Sequence, residues 1–420
     1  MKTVIIGAGL SGMAAGIKLK EKGADFVILE KAARPGGLAK SENINGFVFD
    51  YTGHFLHIRK PEIEKLVLSL PGVKLKKISR ASYIFSNGVY TEYPYQVNNY
   101  GLPSEVIEEN ITGFLRARFA GRTGQANFRD WALATFGEGI AKNFLFPYNK
   151  KLWRHPLQKL TTKWMGRFVP SPTIDEVMDG ILKKGKADVG YNAYFYYPEQ
   201  GGIETLAKGF YEKLKDRVVL NAEVKAIDLP DKTITYNNET IKYDTLITTM
   251  PLNLFLGIAK GGPAKYAAKL KATSVYCLNI GFKQDEKTAR HWVYVPEEKY
   301  VFYRIGFPSS VCPANAPDGM QSVFTEVSFH GNVPAGTDDK IISGLIDMGI
   351  IKNKNGIIIK YPMMLPDAYV IYDNDREKIL PEITEKLKAC GVLTAGRWGN
   401  WEYSSMEDAI IEGLEAAGRV

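Results

Sequence analysis

Cysteine and histidine are scarce in this chain of 420 residues, with three of one and five of the other. Cys277, Cys312 and Cys390 stand far apart with no CxxC, which argues against a disulfide framework or a zinc site. His54, His57, His155, His291 and His330 show no HExxH or other ligand spacing, so no metal is expected. No stretch approaches the ~18 uncharged apolar residues that would span a bilayer. Internal repeats and low-complexity linkers are missing too. The opening Met-Lys-Thr-Val-Ile-Ile-Gly has no signal-peptide layout, so a reduced, cytoplasmic protein is expected. What is present, 45% hydrophobic and 24% charged residues, describes a globular chain with a large core, divided into two or three domains. Fifty-four Lys and Arg against 46 Asp and Glu leave +8, which permits an anionic partner without identifying one.

Residues 3–6, Thr-Val-Ile-Ile, suit a buried parallel strand. Gly7-Ala-Gly9-Leu10-Ser11-Gly12 follows, then a helix predicted from Met13 to Lys22, and a second strand, Phe26 to Leu29, closed by Glu30. This is a dinucleotide fingerprint in its βαβ context. Gly7 allows the tight turn, Gly9 admits a pyrophosphate to the backbone, and Gly12 lets helix and strand pack closely. The helix N-terminus, including Leu10 and Ser11, offers NH groups to the phosphates. Glu30, 18 residues after Gly12, is placed to accept from a ribose hydroxyl.

Lys31-Ala-Ala-Arg-Pro-Gly36-Gly37-Leu38 resembles the stretch after the ribose acid in the FAD-dependent amine oxidase superfamily. Phe49-Asp50-Tyr-Thr-Gly53-His54 resembles that group's segment beside the isoalloxazine, and Gly396-Arg397 with a helix from Met406 resembles its returning C-terminal part. Val224, read as the end of a strand over 220–224, sits where these proteins contact adenine. The resemblance implies non-covalent FAD, since no cysteine lies near Arg397 to Tyr403.

The expected fold is α/β. A Rossmann-like FAD domain is assembled from 1–73, 193–262 and 383–420, with a helical insertion at 74–192 and an antiparallel sheet domain at 263–382. Amphipathic stretches Glu105–Ala117 and Phe128–Phe144 predict the helices. Alternating segments Ser274–Phe282, Tyr300–Phe307 and Ser322–Phe329 predict the sheet.

From Lys142 to Arg167 there are seven Lys or Arg and no acid, which carries +7 of the +8. Such a run is ordinarily a solvated helix face, but that leaves the interleaved Tyr148, Trp153 and Trp164 unexplained. Basic and aromatic residues together also suit single-stranded nucleic acid, while an adjoining FAD site favours a small anion with a stackable base. The block Pro147-Tyr148-Asn149-Lys-Lys-Leu-Trp153, followed by Arg167, resembles the UDP-galactopyranose mutases, especially their eukaryotic-type branch. So do Tyr93-Pro-Tyr95-Gln96, Asn192 to Gly202, Trp292 to Pro296, Phe302-Tyr303-Arg304, Ala368-Tyr369 and Gly396 to Tyr403, across essentially the whole chain. His54-Phe-Leu-His57 and the short segment after Tyr403 are nearer the bacterial members.

The resemblance implies that Tyr93, Tyr95 and Gln96 hold uracil, and that Arg167 and Arg304 clamp the pyrophosphate, a task for a planar fork. It implies that Tyr294, Tyr369 and Tyr403 donate hydroxyls to the diphosphate. Asn149, Trp153, Asn192 and Arg397 would face the sugar and the flavin edge, with His54 beside the isoalloxazine. His54, Arg167, Arg304 and Arg397 would then be the catalytic set. It further implies that reduced flavin attaches the sugar through N5 while pyranose and furanose forms interconvert, with NADH or NADPH as candidate reductant. The partner expected is a nucleoside diphosphate sugar, with neither nucleic acid nor membrane. An amine-oxidase or protoporphyrinogen-oxidase-like oxidoreductase fits the flavin motifs equally, and the sugar and oligomeric state are left open.

Overall fold

The computed structural model describes residues 1–121, 126–166, 169, 171–183, 193–284 and 288–420. Its centre is a five-stranded, all-parallel sheet in the order Val392–Thr394, Thr245–Thr248, Lys2–Ile6, Asp25–Leu29, Val218–Val219. Thr3 to Ile6 are all buried, as a strand covered on both faces requires. The helix Leu10–Glu21 packs against the C-terminal helix Met406–Gly418. Their approach depends on Gly413, where a Cβ would lie 2.0 Å from the Ser11 carbonyl oxygen. The first helix thus begins three residues earlier than the sequence predicts.

A seven-stranded mixed sheet forms the second body, in the order Ile357–Val370, Ala272–Lys283, Met320–Phe329, Arg304–Gly306, Trp292–Tyr294, Ser82–Ser86, Val89–Glu92. All its pairs are antiparallel except that between Trp292–Tyr294 and Ser82–Ser86. The hairpin 82–92 comes from the stretch expected to be helical, whose helices start only at Ser104. Pro362 and Pro366 fall on the edge strand, the position where a missing donor is tolerated. A four-stranded sheet, the hairpin Ser41–Ile44 with Phe47–Asp50, and the ribbon Leu75–Ser79 with Tyr194–Pro198 complete the β structure among the described residues.

Three local expectations are corrected. The strand near Val224 runs Val224–Asp228, and 220–223 is the connection leading into it. Within 300–307 only Arg304–Gly306 is strand. The helix expected over 128–144 runs Phe128–Ile140, broken at Gly137 (φ +78), and continues as a wide turn, Ala141–Leu145, into Phe146–Trp153. The break is a packing requirement, since a Cβ on Gly137 would sit 2.0 Å from the Gly113 oxygen on the crossing helix Ser104–Ala120.

Candidate active site

The glycine turn after the first strand is a cradle with no room for a side chain at Gly7 or Gly12. Gly7 has φ +100, and a Cβ there would meet Thr249 Oγ1 at 2.4 Å. A Cβ on Gly12 would lie 1.9 Å from the Gly7 oxygen. Gly36 (φ +119) donates its NH to the Ala8 carbonyl at 2.8 Å, which brings Gly37 against Gly9. Buried Glu30 accepts from Ala8 N at 2.8 Å and Ala32 N at 2.9 Å, one bond per carboxylate oxygen. Each oxygen keeps a lone pair for a ribose hydroxyl. Gly396 (φ +81) closes the cradle over Ser11, where a Cβ would be 2.3 Å from Ser11 Oγ. Leu10 and Ser11 are buried, Leu38, Val224 and Met406 are half-buried, and Lys31 is exposed. These residues fit a dinucleotide. Lys40, not singled out from sequence, is buried beside Gly36, and burial lowers its pKa.

The segment before His54 is anchored through Asp50. Its carboxylate accepts from Ser41 Oγ and Tyr197 OH, both at 2.6 Å, and from Ile203 N at 3.0 Å. Burial pushes its pKa up to about 6. His54 Nδ1 is buried with no hydrogen-bond partner among the described residues. Burial, then the nearby Arg397 and Arg304 charges, push the His54 pKa down to about 4. The neutral ring therefore contributes stability that is present above the ordinary value of 6.5 and lost as pH falls through about 4. In NMR titration its Cε1–H resonance should move only on approach to pH 4. A midpoint near 6.5 would contradict this environment.

Beside this loop lies an arginine–tyrosine cluster. Arg304 and Glu326 sit directly opposite each other on adjacent strands. Arg304 Nη2 donates to both carboxylate oxygens at 2.8 and 2.7 Å, Nε donates at 3.1 Å, and Tyr303 OH donates to the same carboxylate at 2.5 Å. Nη2 also donates to Tyr369 Oη at 3.1 Å. Among the described residues Nη1 has no acceptor, so one arm of the fork is open. Arg397 donates to the Ser404 and Ala368 carbonyls and lies 4.7 Å from the Tyr403 ring and 5.1 Å from that of Tyr369. Burial holds Tyr369 up at about 12 and raises Tyr148 and Tyr294 as well, so all three hydroxyls remain donors.

The residues named from sequence divide between this cluster and its support. Tyr93 lies under the Arg80 guanidinium at 4.7 Å and 5.1 Å from Tyr294. Tyr294 in turn meets Tyr148 edge-on at 5.5 Å. Tyr95 is a core side chain, 0% exposed, stacked on Phe144 at 4.9 Å, with its hydroxyl accepting from Asn110. Tyr93 is half-buried, whereas Tyr95 has no exposed face. Gln96 is likewise buried. Asn149 accepts from Trp153 Nε1 at 3.0 Å and donates to the Leu145 carbonyl, and Trp153 is enclosed by Trp164, Tyr369 and Tyr403. The two thus form a hydrogen-bonded pair packed against the tyrosines. Gly53 is half-buried beneath Phe324. Arg167 and Asn192 lie outside the described residues.

Sequence reasoning did not select Glu326, and named Tyr148 and Tyr303 without assigning either a role. Glu326 had a usable signal, as the sole charged residue in the strand Met320–Phe329. The cationic block is partly neutralised. Lys142 pairs with Glu109 and Lys163 with Glu377, while Lys151 is tied to the Val295 and Glu297 carbonyls. Among the described residues no group of acids, histidines and cysteines could hold a metal.

A family model of flavin-containing amine oxidoreductases matches residues 10–347. The chain belongs to that family. Membership agrees with the glycine cradle and implies FAD. Over its full length the chain is similar to a crystal structure of reduced UDP-galactopyranose mutase, with a TM-score of 0.93 and 28% identity over 100% of this chain and 95% of that one. A putative protoporphyrinogen oxidase from Exiguobacterium sp. 255-15 shares the fold, with a TM-score of 0.77 and 14% identity over 100% and 98% of the two chains. A 1-hydroxycarotenoid 3,4-desaturase from Flavobacterium sp. (strain P99-3) is 30% identical over 236 residues, 50% of this chain. The match spans 47% of that desaturase. No helix among the described residues of this flavoprotein is long and apolar enough to cross a membrane.

Proposed function

We propose that this flavoprotein is a nucleotide-sugar mutase that interconverts pyranose and furanose forms, with UDP-galactopyranose and UDP-galactofuranose as the substrate pair. The observation that carries this reading is the Arg304–Glu326–Tyr369 cluster beside Arg397. Its cationic and hydroxyl donors suit a diphosphate better than they suit an amine substrate. Similarity to the reduced mutase over the full chain supports it.

The glycine cradle and Glu30 would hold FAD non-covalently, and in its reduced form the cofactor would supply the nucleophile for the anomeric carbon. NADH or NADPH is the proposed reductant. The chain's own residues manage the leaving group. Glu326 fixes the Arg304 fork so that Nη1 is aimed away from the carboxylate and free for a diphosphate oxygen. Tyr369, whose oxygen already accepts from Arg304, keeps its proton for a second oxygen. Arg397 adds positive charge beside the two stacked tyrosines. Charge developing on the departing diphosphate thus meets donors already oriented, which is the condition for electrostatic stabilisation. Neutral His54 adds no competing cation. Arg167 is assigned to the same diphosphate by its place in the motif.

Purified protein incubated with UDP-galactofuranose, with and without dithionite, tests the reading when the nucleotide sugars are resolved by chromatography. Formation of UDP-galactopyranose only in the reduced sample is expected. Substrate-driven flavin bleaching with hydrogen peroxide, and no sugar isomer, would establish an oxidase instead.

A further inference from the structure

We propose that Arg376 is a positioning residue of the active site, holding the 396–405 turn in the conformation that stacks Tyr403 and Tyr369 around Arg397. The turn is conformationally costly. Trp401 has φ +55, a left-handed conformation that a bulky residue rarely adopts, yet it is 0% exposed. Its indole is held by core packing and not by a hydrogen bond, since Nε1 is buried without a partner among the described residues.

The backbone is held from outside the turn. Arg376, itself only 4% exposed, donates to the Trp401 carbonyl twice, from Nε at 3.0 Å and Nη2 at 2.6 Å. Its guanidinium lies 3.8 Å from the Tyr372 ring, and Tyr372 Oη accepts from the Tyr403 amide at 2.6 Å. Nη1 is taken by Glu377 at 2.8 Å, which balances the buried charge. The two holding points, on Trp401 and Tyr403, bracket Glu402, whose amide turns back onto the Arg397 carbonyl at 2.8 Å. Ser404 then offers its carbonyl to the Arg397 side chain. Only arginine supplies two donors to one oxygen while presenting a flat face to an aromatic ring; lysine matches the charge alone.

The ligand-based part rests on the proposed function, and the experiment separates the two. Flavin-loaded wild type, Arg376→Lys, Tyr372→Phe and the double variant would be titrated with UDP by calorimetry, with melting temperature and amide hydrogen exchange of residues 402–404 followed in parallel. Arg376→Lys is expected to raise the UDP Kd about tenfold, the scale of one charge-assisted hydrogen bond. Exchange at 402–404 should accelerate. Tyr372→Phe should shift both readouts the same way, and the double variant should fall short of the product of the single effects, because both residues act through one turn. A lowered melting temperature with unchanged Kd and unchanged exchange would reduce Arg376 to a stability role and overturn the proposal, as would fully multiplicative effects. If Arg376→Lys loses its flavin, Tyr372→Phe decides, and an unchanged Kd there overturns it. If wild type does not bind UDP, the mutase reading falls, and the exchange rates alone judge the positioning role.

Discussion

Arg304→Ala is expected to lower both stability and UDP affinity, each by a large and separately measurable amount. The stability loss arises because Glu326, 1% exposed, is stranded without its cation. Removing one partner of a buried ion pair costs about 3–5 kcal/mol, and the Tyr303 hydroxyl that still donates to Glu326 places the expectation near the lower end. Urea unfolding monitored by tryptophan fluorescence measures it. The affinity loss arises from Nη1, the arm without an acceptor among the described residues and assigned to the diphosphate, and should be about 1.5–3 kcal/mol, roughly 10- to 150-fold in Kd. A double variant, Arg304→Met with Glu326→Gln, separates the two effects. It removes the stranded charge, so it should regain stability relative to Arg304→Ala while binding UDP no better. An Arg304→Ala protein as stable as wild type would show that Glu326 does not depend on this pairing. Unchanged UDP affinity would remove Arg304 from the diphosphate site.

The second large effect is on flavin retention. Gly12→Ala is expected to yield protein with little bound flavin, because the added Cβ would lie 1.9 Å from the Gly7 oxygen. The atom in the way is backbone, so the helix must move off the strand. Overpacking of that kind costs about 1–3 kcal/mol, and here it also displaces the NH groups meant for the pyrophosphate. Gly257→Ala is the control. It lies in the helix Leu252–Ile258, where an added Cβ meets nothing within 4 Å. The ratio of flavin to protein absorbance should fall at least severalfold in Gly12→Ala and hold in Gly257→Ala. Full flavin content in Gly12→Ala would show that the cradle tolerates the shift and is not the phosphate site.

These two residues also mark how far sequence reading reached. Gly12 was legible because its reason is local: strand, turn, helix and closing acid fall within the first 30 residues, each with its own periodicity or conformational demand. Arg304 was legible as an arginine in a family-like block, but its carboxylate partner was not. Glu326 is 22 residues away and becomes its neighbour only through strand register, so no spacing rule within one segment points to it. The break at Gly137 was hidden for a similar reason, because what forbids a side chain there is the backbone of another helix.

The tyrosines draw the line most clearly. Tyr95 and Tyr369 are both aromatics in family-like blocks, and both were assigned to substrate. Tyr95 instead packs on Phe144 under Asn110, whereas Tyr369 lies between Arg304 and Arg397. By itself, the sequence determined the parallel βαβ framework, the flavin class and the cationic, tyrosine-rich character of the substrate region, all properties of residue type over short distances. The tertiary structure decided which of those aromatics are core residues, which gather around Arg304 and Arg397, and which arm of Arg304 has no acceptor among the described residues. An aromatic ring serves a core and a cleft equally well, and only the groups packed against it tell the two apart.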